Sequence, residues 1–357
     1  MSGLDDVIAA ETVLSEVDGA NGRLVICGQS LDALAGKTSY EGVLSLLLAE
    51  TVDLDTAGVR VALATARLRA FEEVAHLDPT LLSLSITEAL RALMARLPDG
   101  EDAETALLLI AAPAVFVPAV VRRKAGLGAL APDLNAGHAT DMLAMLHGQV
   151  PYVEAAAALD TYLVTVSDHG LNASTFAARV VASTRAGYGS AVLAALGALK
   201  GPLHGGAPGP VLDMLDAVAR PEHAADWIAG ELARGERLMG FGHRIYRVRD
   251  PRADALKSAL ARLGAGGGMD ITRLALAEAV ETEALKQLHA AKPGRVLETN
   301  VEFFTAPLLE ALGFPREAFT GVFAAGRVGG WVAHAHEQIA TGRLIRPQSR
   351  YIGPKAA

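Results

Sequence analysis

The chain has 357 residues, 51% of them hydrophobic, which is more than one core usually holds, so two lobes are expected, with no staple needed to stabilise them. The formal net charge of −8 excludes a broadly basic nucleic-acid surface. The single cysteine, Cys27, excludes an internal disulfide and fits a reducing, cytoplasmic setting.

Alanine and leucine dominate and aromatic residues are only 5% of the chain, a mixture that favours helix. The start, Met1-Ser2-Gly3-Leu4-Asp5-Asp6, is acidic and carries no positive region, so no secretory signal is expected. Residues 22–31 (GRLVICGQSL) are the best candidate for a short extended piece, and period-2 patterns are otherwise nearly absent. Helical patterns follow at 40–50 and 59–76. Asp78-Pro79 reads as an N-cap with proline at the first helical position, predicting a helix over 80–97. Residues 105–121 are uncharged and precede Arg122-Arg123-Lys124. The stretch is short for a membrane span and contains Pro113 and Pro118, so it predicts a buried, kinked helix and no membrane association.

Further helices are expected at 139–146, 152–166, 174–184, 190–200, 211–219 and 224–234. Asp250-Pro251 repeats the cap-and-proline device before 252–263, and Gly264 is a natural stop. Residues 264–268 (GAGGG) read as a flexible surface turn, followed by helices at 271–289 and 328–340. The chain therefore reads as an all-α protein. Its functional turns fall between about 168 and 350, which leaves the N-terminal third as scaffold.

Four polar clusters occupy those turns: Ser167-Asp168-His169; the glycine-rich bend holding His204 (GPLHGGAP); a second such bend holding His243 (GFGHR); and Asn300-Val301-Glu302-Phe303. Glycine-rich bends let backbone come close to a ligand. Two imidazoles and a carboxylate suit proton removal next to a carbonyl. One group takes the proton, one stabilises the enol oxygen, and one protonates the electrophile. From Glu231 to Arg252 there are six arginines (234, 237, 244, 247, 249, 252) against three acids (Glu231, Glu236, Asp250), a local balance of +3 in an acidic chain. Arg327 and Arg346 add isolated candidates. Arginine forks bind carboxylates and phosphates. Most single arginines cover solvated helix faces; those flanking His243 are the exception.

Other readings are weaker. His334 and His336 stand two apart on a helix and point to different faces, and the pattern His-Glu-x-x-His is absent, so no metal site is expected. There is no Walker A loop, no G-x-G-x-x-G after a strand and no G-x-S-x-G elbow. Cys27 reads as a buried structural cysteine.

The segments 167–184 (SDHGLNASTFAARVVAST), 197–208 (GALKGPLHGGAP), 240–253 (GFGHRIYRVRDPRA), 298–303 (ETNVEF), 326–338 (GRVGGWVAHAHEQ) and 343–354 (RLIRPQSRYIGP) together resemble the citrate synthase family. The likeness is dense from about 161 to 353 and looser before. The resemblance implies a dimeric, multi-helical protein. Residues 1–200 and 307–357 would form a large domain and 201–306 a small mobile one, with the active site in the cleft. It implies condensation of acetyl-CoA with oxaloacetate and hydrolysis of the citryl thioester, with no metal or redox cofactor. By motif position, Glu302 resembles the base, His204 the group on the enol oxygen, and His243 the group on the oxaloacetate carbonyl. His169, Arg252 and Arg327 resemble oxaloacetate ligands, Arg346 the arginine donated across a homodimer interface, and Arg247 a coenzyme A phosphate contact.

Three departures are visible. Ile26-Cys27-Gly28 stands where the family usually has Tyr-Arg-Gly, and residues 206–209 (GAPG) where it often has Gly-Gly-Ala-Asn-Glu. Glu302 stands for the usual aspartate, which moves the carboxylate by about 1.5 Å. A shift near 1 Å is worth roughly a hundredfold in rate, so an adapted backbone at 300–303 is expected. A single methylene separates this reaction from 2-methylcitrate synthesis with propionyl-CoA. A non-catalytic helical binding or regulatory protein is the reading from another class, motivated by Glu302 and the altered 207–209 segment.

Overall fold

The computed structural model describes residues 7–205, 208–266 and 271–354, the side chains of Pro208 and Ile271 excepted. Gly206-Ala207 and Gly267-Gly268, parts of two turns singled out above, lie outside them.

The architecture is helical, as the composition requires. Its one sheet among the described residues is a small antiparallel one in the order β1 (Ser15–Asp18), β2 (Arg23–Ile26), β3 (Gln29–Ser30). The extended piece expected at 22–31 is β2, β3 and the turn between them. That turn is Cys27-Gly28, with φ of 45° and 78°, the two-residue hairpin geometry that normally calls for glycine or asparagine. Cys27 is half-buried and its Sγ faces Leu14 O at 3.7 Å. Burial pushes its thiol up to about 11.

The helix Ala103–Lys124 forms the middle of the core and runs through both prolines, nearly every residue from Thr105 to Val120 being buried. It is the one described helix long and apolar enough to cross a membrane, yet 83% of its most apolar window is buried inside the protein. Its partners are the helices Thr56–Ala75, His138–His147, Ile86–Met94 and Phe319–Thr341.

The helix expected over 80–97 is instead two elements. Asp78 caps a 3-10 turn, Pro79–Ser83, and a new helix starts at Ile86. Ser85 and Glu88 form a reciprocal capping box there, a second start signal that breaks the continuity.

The helix Phe319–Thr341 carries glycines where it crosses other backbone. A Cβ at Gly330 would lie 2.2 Å from Ser167 O, and one at Gly326 2.5 Å from Val166 Cγ2. Only glycine permits that approach. It lays this helix on the end of Val153–Val166, and so brings Arg327 and His334 to the Ser167-Asp168-His169 bend.

Candidate active site

Local chain geometry places His243 and Glu302 together. Gly240 and Gly242 have φ of 85° and 82°, and a Cβ at 240 would meet Phe303 Cδ2 at 2.8 Å. The bend they form is strapped to the segment before Glu302. Gly242 N donates to Glu298 O (2.7 Å), Asn300 N to Gly240 O (3.0 Å) and Asn300 Nδ2 to Gly242 O (2.8 Å). Asn300 also caps the helix Val301–Ala311, its Oδ1 accepting from Glu302 N. Glu302 thus stands in the first turn of a helix. Burial pushes its carboxyl up to about 7, with Asp250 adding to the effect and Arg252 and Arg327 opposing it.

The tautomer of His243 follows from its neighbours. Its Nδ1 accepts from both Ile245 N and Tyr246 N at 3.0 Å, so the neutral ring carries its proton on Nε2. Burial, then Arg252, lowers its pKa to about 4, which keeps it neutral near pH 7. Arg252 Nη2 stands 3.4 Å from Nε2. Two donors side by side do not satisfy one another. Arg252 is held by Asp250, which accepts from its N (3.0 Å), Nε (3.0 Å) and Nη2 (2.8 Å) and also from Val301 N (3.2 Å). Both are buried.

Across from them lies the bend of residues 167–170. His169 is buried, its Nε2 3.2 Å from Tyr246 Oη and its ring 5.6 Å from that of His243. Burial, followed by Arg252 and Arg327, holds its pKa well below the ordinary imidazole value. Asp168 shapes the bend, accepting from His169 N at 2.8 Å and from His334 Nε2 at 3.1 Å. Burial opposes its ionisation, but His334 and its hydrogen bonds outweigh this and keep it below its usual range. Arg327 is 1% exposed, its Nε bonded to Val166 O and its guanidinium 5.0 Å over the ring of Phe323. Among the described residues no carboxylate lies within ion-pair distance of it. Burial presses its pKa down to about 10.

His204 ends the constellation. Its Nε2 is 2.8 Å from Ser174 Oγ, which also receives Trp331 Nε1–H (3.1 Å) and reaches Asn172 Oδ1 (2.8 Å). Burial, then Arg327 and Arg252, lowers its pKa to about 4. The two arginines therefore act on His169, His204 and Glu302 alike, which gathers these groups into one electrostatic site.

Two sequence candidates are exposed, although the charge of Arg247 still helps lower the His243 pKa. Arg247 has an exposed side chain, and Arg346 is exposed on the tail after the last helix, where Ile345 N donates to Ser183 Oγ. The two histidines weighed as metal ligands have separate partners: His334 meets Asp168 and Arg179 Nε, and His336 meets Tyr188 Oη.

The N-terminal third is more than scaffold. Ser15 Oγ accepts from Gly170 N (3.1 Å), and Gly19 O accepts from Arg247 N (2.8 Å). The β1–β2 hairpin thus touches both the His169 bend and the loop after His243. A Cβ at Gly19 would lie 2.4 Å from Ile245 O. Sequence reading also missed Asp250, Ser174 and Tyr246 as supports of the site. Asp250 was legible as a cap, and Ser174 sits inside a quoted motif. Tyr246, like Ser174, sits inside a quoted motif, three residues after His243.

With this geometry in hand, the class is settled by comparison. The family described as citrate synthase, C-terminal domain, matches residues 3–348. The citrate synthase of Haloferax volcanii is 37% identical over 99% of this chain and 96% of its own, and the 2-methylcitrate synthase of Mycobacterium tuberculosis is 34% identical over 98% and 90%. A putative citrate synthase 2 of Mycobacterium tuberculosis is 49% identical over 55% of this chain, a match that spans 51% of that relative's length. Among solved structures, the ternary complex of Thermoplasma acidophilum citrate synthase with carboxymethyl coenzyme A and oxaloacetate superposes with a TM-score of 0.86, at 28% identity, covering 99% of this chain and 96% of that one. The chain belongs to the citrate synthase family, and its fold is the all-α fold of those enzymes.

Proposed function

We propose that this chain condenses acetyl-CoA with oxaloacetate to give citrate and free coenzyme A. The observation that supports this most is the closeness of two donors, His243 Nε2–H and Arg252 Nη2, in one site with a buried Arg327 that has no carboxylate within ion-pair distance among the described residues. Such a set fits a keto dicarboxylate. The arginines take carboxylates, and the neutral imidazole polarises and then protonates the keto oxygen.

The steps follow from the side chains. The Glu302 carboxylate removes a proton from the thioester methyl group while His204 donates to the thioester oxygen. The enol carbon attacks the keto carbon, and the keto oxygen takes the proton of His243 Nε2. Water then attacks the thioester carbonyl, giving a proton to the deprotonated His243; the departing sulfur takes the proton held by Glu302, which releases the thiol, and the new carboxylic acid loses its proton to solvent. For His204 to donate toward substrate, its proton must sit on Nδ1, with Nε2 accepting from a Ser174 O–H that turns to it from Asn172 Oδ1. Trp331 Nε1–H occupies another lone pair of that oxygen in either case. Ser174→Ala is therefore expected to lower kcat about tenfold, with both KM values within twofold of wild type, as read by steady-state kinetics. Unchanged kcat removes Ser174 from this role.

In this reading residues 201–306 close as the smaller domain over the rest, excluding water from the thioester. Arg247 faces coenzyme A phosphate, and Arg346 reaches the site of a second copy in a homodimer. The setting is cytoplasmic. Analytical ultracentrifugation tests the dimer; a monomer at working concentration leaves Arg346 without a site to complete.

The 2-methylcitrate synthase relative supports a second reading with propionyl-CoA. A hydrophobic pocket separates the two thioesters by only about 1–3 kcal/mol. Oxaloacetate-dependent thiol release, measured with both, is the test. Acetyl-CoA preferred in kcat/KM is the expected result. A clear preference for propionyl-CoA replaces the first reading with the second, and no release from either leaves a binding protein that kept the fold.

A further inference from the structure

Tyr162 lies on the helix Val153–Val166 and is wholly buried. Its hydroxyl has no hydrogen-bond partner among the described residues, a condition shared there only with Arg123 Nε and His138 Nε2 among fully buried side-chain polar atoms. Buried hydroxyls are almost always paired, and an orphan calls for an explanation. Phenylalanine would fill the same space without the penalty.

The surroundings supply one. The Tyr162 helix packs against the helices Pro251–Ala265, Val301–Ala311 and Phe319–Thr341. Arg252, Glu302 and Arg327 stand on those three helices in the same order. They are also the charges that act on the Tyr162 hydroxyl. Burial dominates and drives its pKa well above the ordinary phenol value, Glu302 adds to this, and the two arginines oppose it. The hydroxyl is accordingly a neutral, buried donor on a helix packed against the three that carry these charges. Among the described residues the Glu302 carboxylate accepts no hydrogen bond from the chain. The fitting acceptor is one that arrives between two guanidinium groups, which makes it anionic.

We propose that Tyr162 is a further substrate-binding residue, its hydroxyl donating to a carboxylate oxygen of the dicarboxylate held by Arg252 and Arg327. This rests on the function argued above. The hydrogen bond adds no charge, so it leaves the arginine pairing intact and fixes the rotation of the bound carboxylate. It also accounts for a buried polar group that folding alone disfavours.

The test is Tyr162→Phe, which deletes one oxygen and keeps the ring. Oxaloacetate KM, and its Kd by calorimetry without thioester, are expected to rise about 10- to 100-fold. The KM for the acyl-CoA stays within twofold, and the melting temperature of the unliganded protein is equal to or above wild type. An unchanged oxaloacetate Kd together with a raised melting temperature overturns the proposal, because the hydroxyl is then only a buried orphan. A displaced acid limb of the kcat profile at unchanged Kd also overturns it, because the acceptor is then Glu302. Wild-type protein run in parallel separates the two levels. If it binds oxaloacetate and the variant binds equally well, only this proposal fails. If the wild type itself binds none and releases no thiol, the functional reading fails with it.

Discussion

Glu302→Gln is expected to abolish oxaloacetate-dependent thiol release, and Glu302→Asp to lower it about a hundredfold. Glutamine keeps the size and the cap geometry at Asn300 and removes the proton acceptor. Aspartate keeps the acceptor and withdraws it by about one carbon–carbon bond from the place the chain has built for it. That place is fixed from both sides. The Gly240–Gly242 bend is bonded to residues 298–300, and Asn300 caps the helix that presents Glu302. The hundredfold loss in the aspartate variant would show that the site is fitted to the longer side chain, whereas an aspartate variant at full rate means that the carboxylate's reach does not matter.

The pH dependence belongs to the same carboxylate. The base works only when ionised, and burial has raised its pKa to about 7. The imidazoles of His204 and His243, lowered to about 4, stay neutral through the neutral range. Rate is therefore expected to rise with pH through about 7, on a single limb set by Glu302. For stability the sign is opposite. A carboxyl whose pKa is raised on folding favours the native state while protonated, and that preference is lost as pH rises through about 7. The melting temperature of Glu302→Gln should therefore gain on wild type between pH 6 and pH 8, as read by calorimetry. A gain that does not grow over that interval, or a rate limb unmoved from pH 4 to 8, sinks the assignment of the base.

The fold was legible where local chemistry decides it. Ala- and Leu-rich stretches punctuated by Asp-Pro, Asn and Ser caps became helices, most with ends within a few residues of those expected, although the last begins at Phe319 rather than at 328 and the helix Val301–Ala311 was not expected. It was not legible at 78–97, where two start signals, Asp78-Pro79 and Ser85 with Glu88, compete and the second wins. Strand β1 (SEVD) is four residues long, and its pairing with β2 is a tertiary fact. The site divides in the same way. His169, His204, His243 and Glu302 stand in glycine-rich or capped bends that announce themselves. Tyr162 stands at an apolar helical position and reads as core. Only the three helices packed against its own bring the charges that act on its hydroxyl. Ser15 and Gly19 were invisible for a related reason, since a hairpin far off in sequence reaches the His169 and His243 loops only once the chain has folded.

Arg327→Leu is expected to raise oxaloacetate KM about a hundredfold or more while leaving the unliganded protein at least as stable as wild type. The two effects have one cause. A guanidinium that is 1% exposed and has no carboxylate within reach among the described residues is a costly thing to bury. Its compensation inside the chain is partial: a bond from Nε to Val166 O, the face of Phe323, and the more distant Asp168. Leucine loses the charge-assisted bond to Val166, about 1.5–3 kcal/mol, and relieves a desolvated charge that has already pressed the arginine's pKa down to about 10. Function explains why such a charge is kept. A carboxylate entering beside it forms a charge-assisted pair in a site shielded from water, and losing one partner of such a pair costs about 2–5 kcal/mol. Oxaloacetate should accordingly raise the melting temperature of the wild type and fail to raise that of the variant, since only a ligand that binds the native state stabilises it. Arg327→Lys keeps a charge but not the fork, and should restore little of the binding. If the leucine variant unfolds at markedly lower temperature and still responds to oxaloacetate, Arg327 is a structural cation, and the carboxylate it was assigned belongs elsewhere.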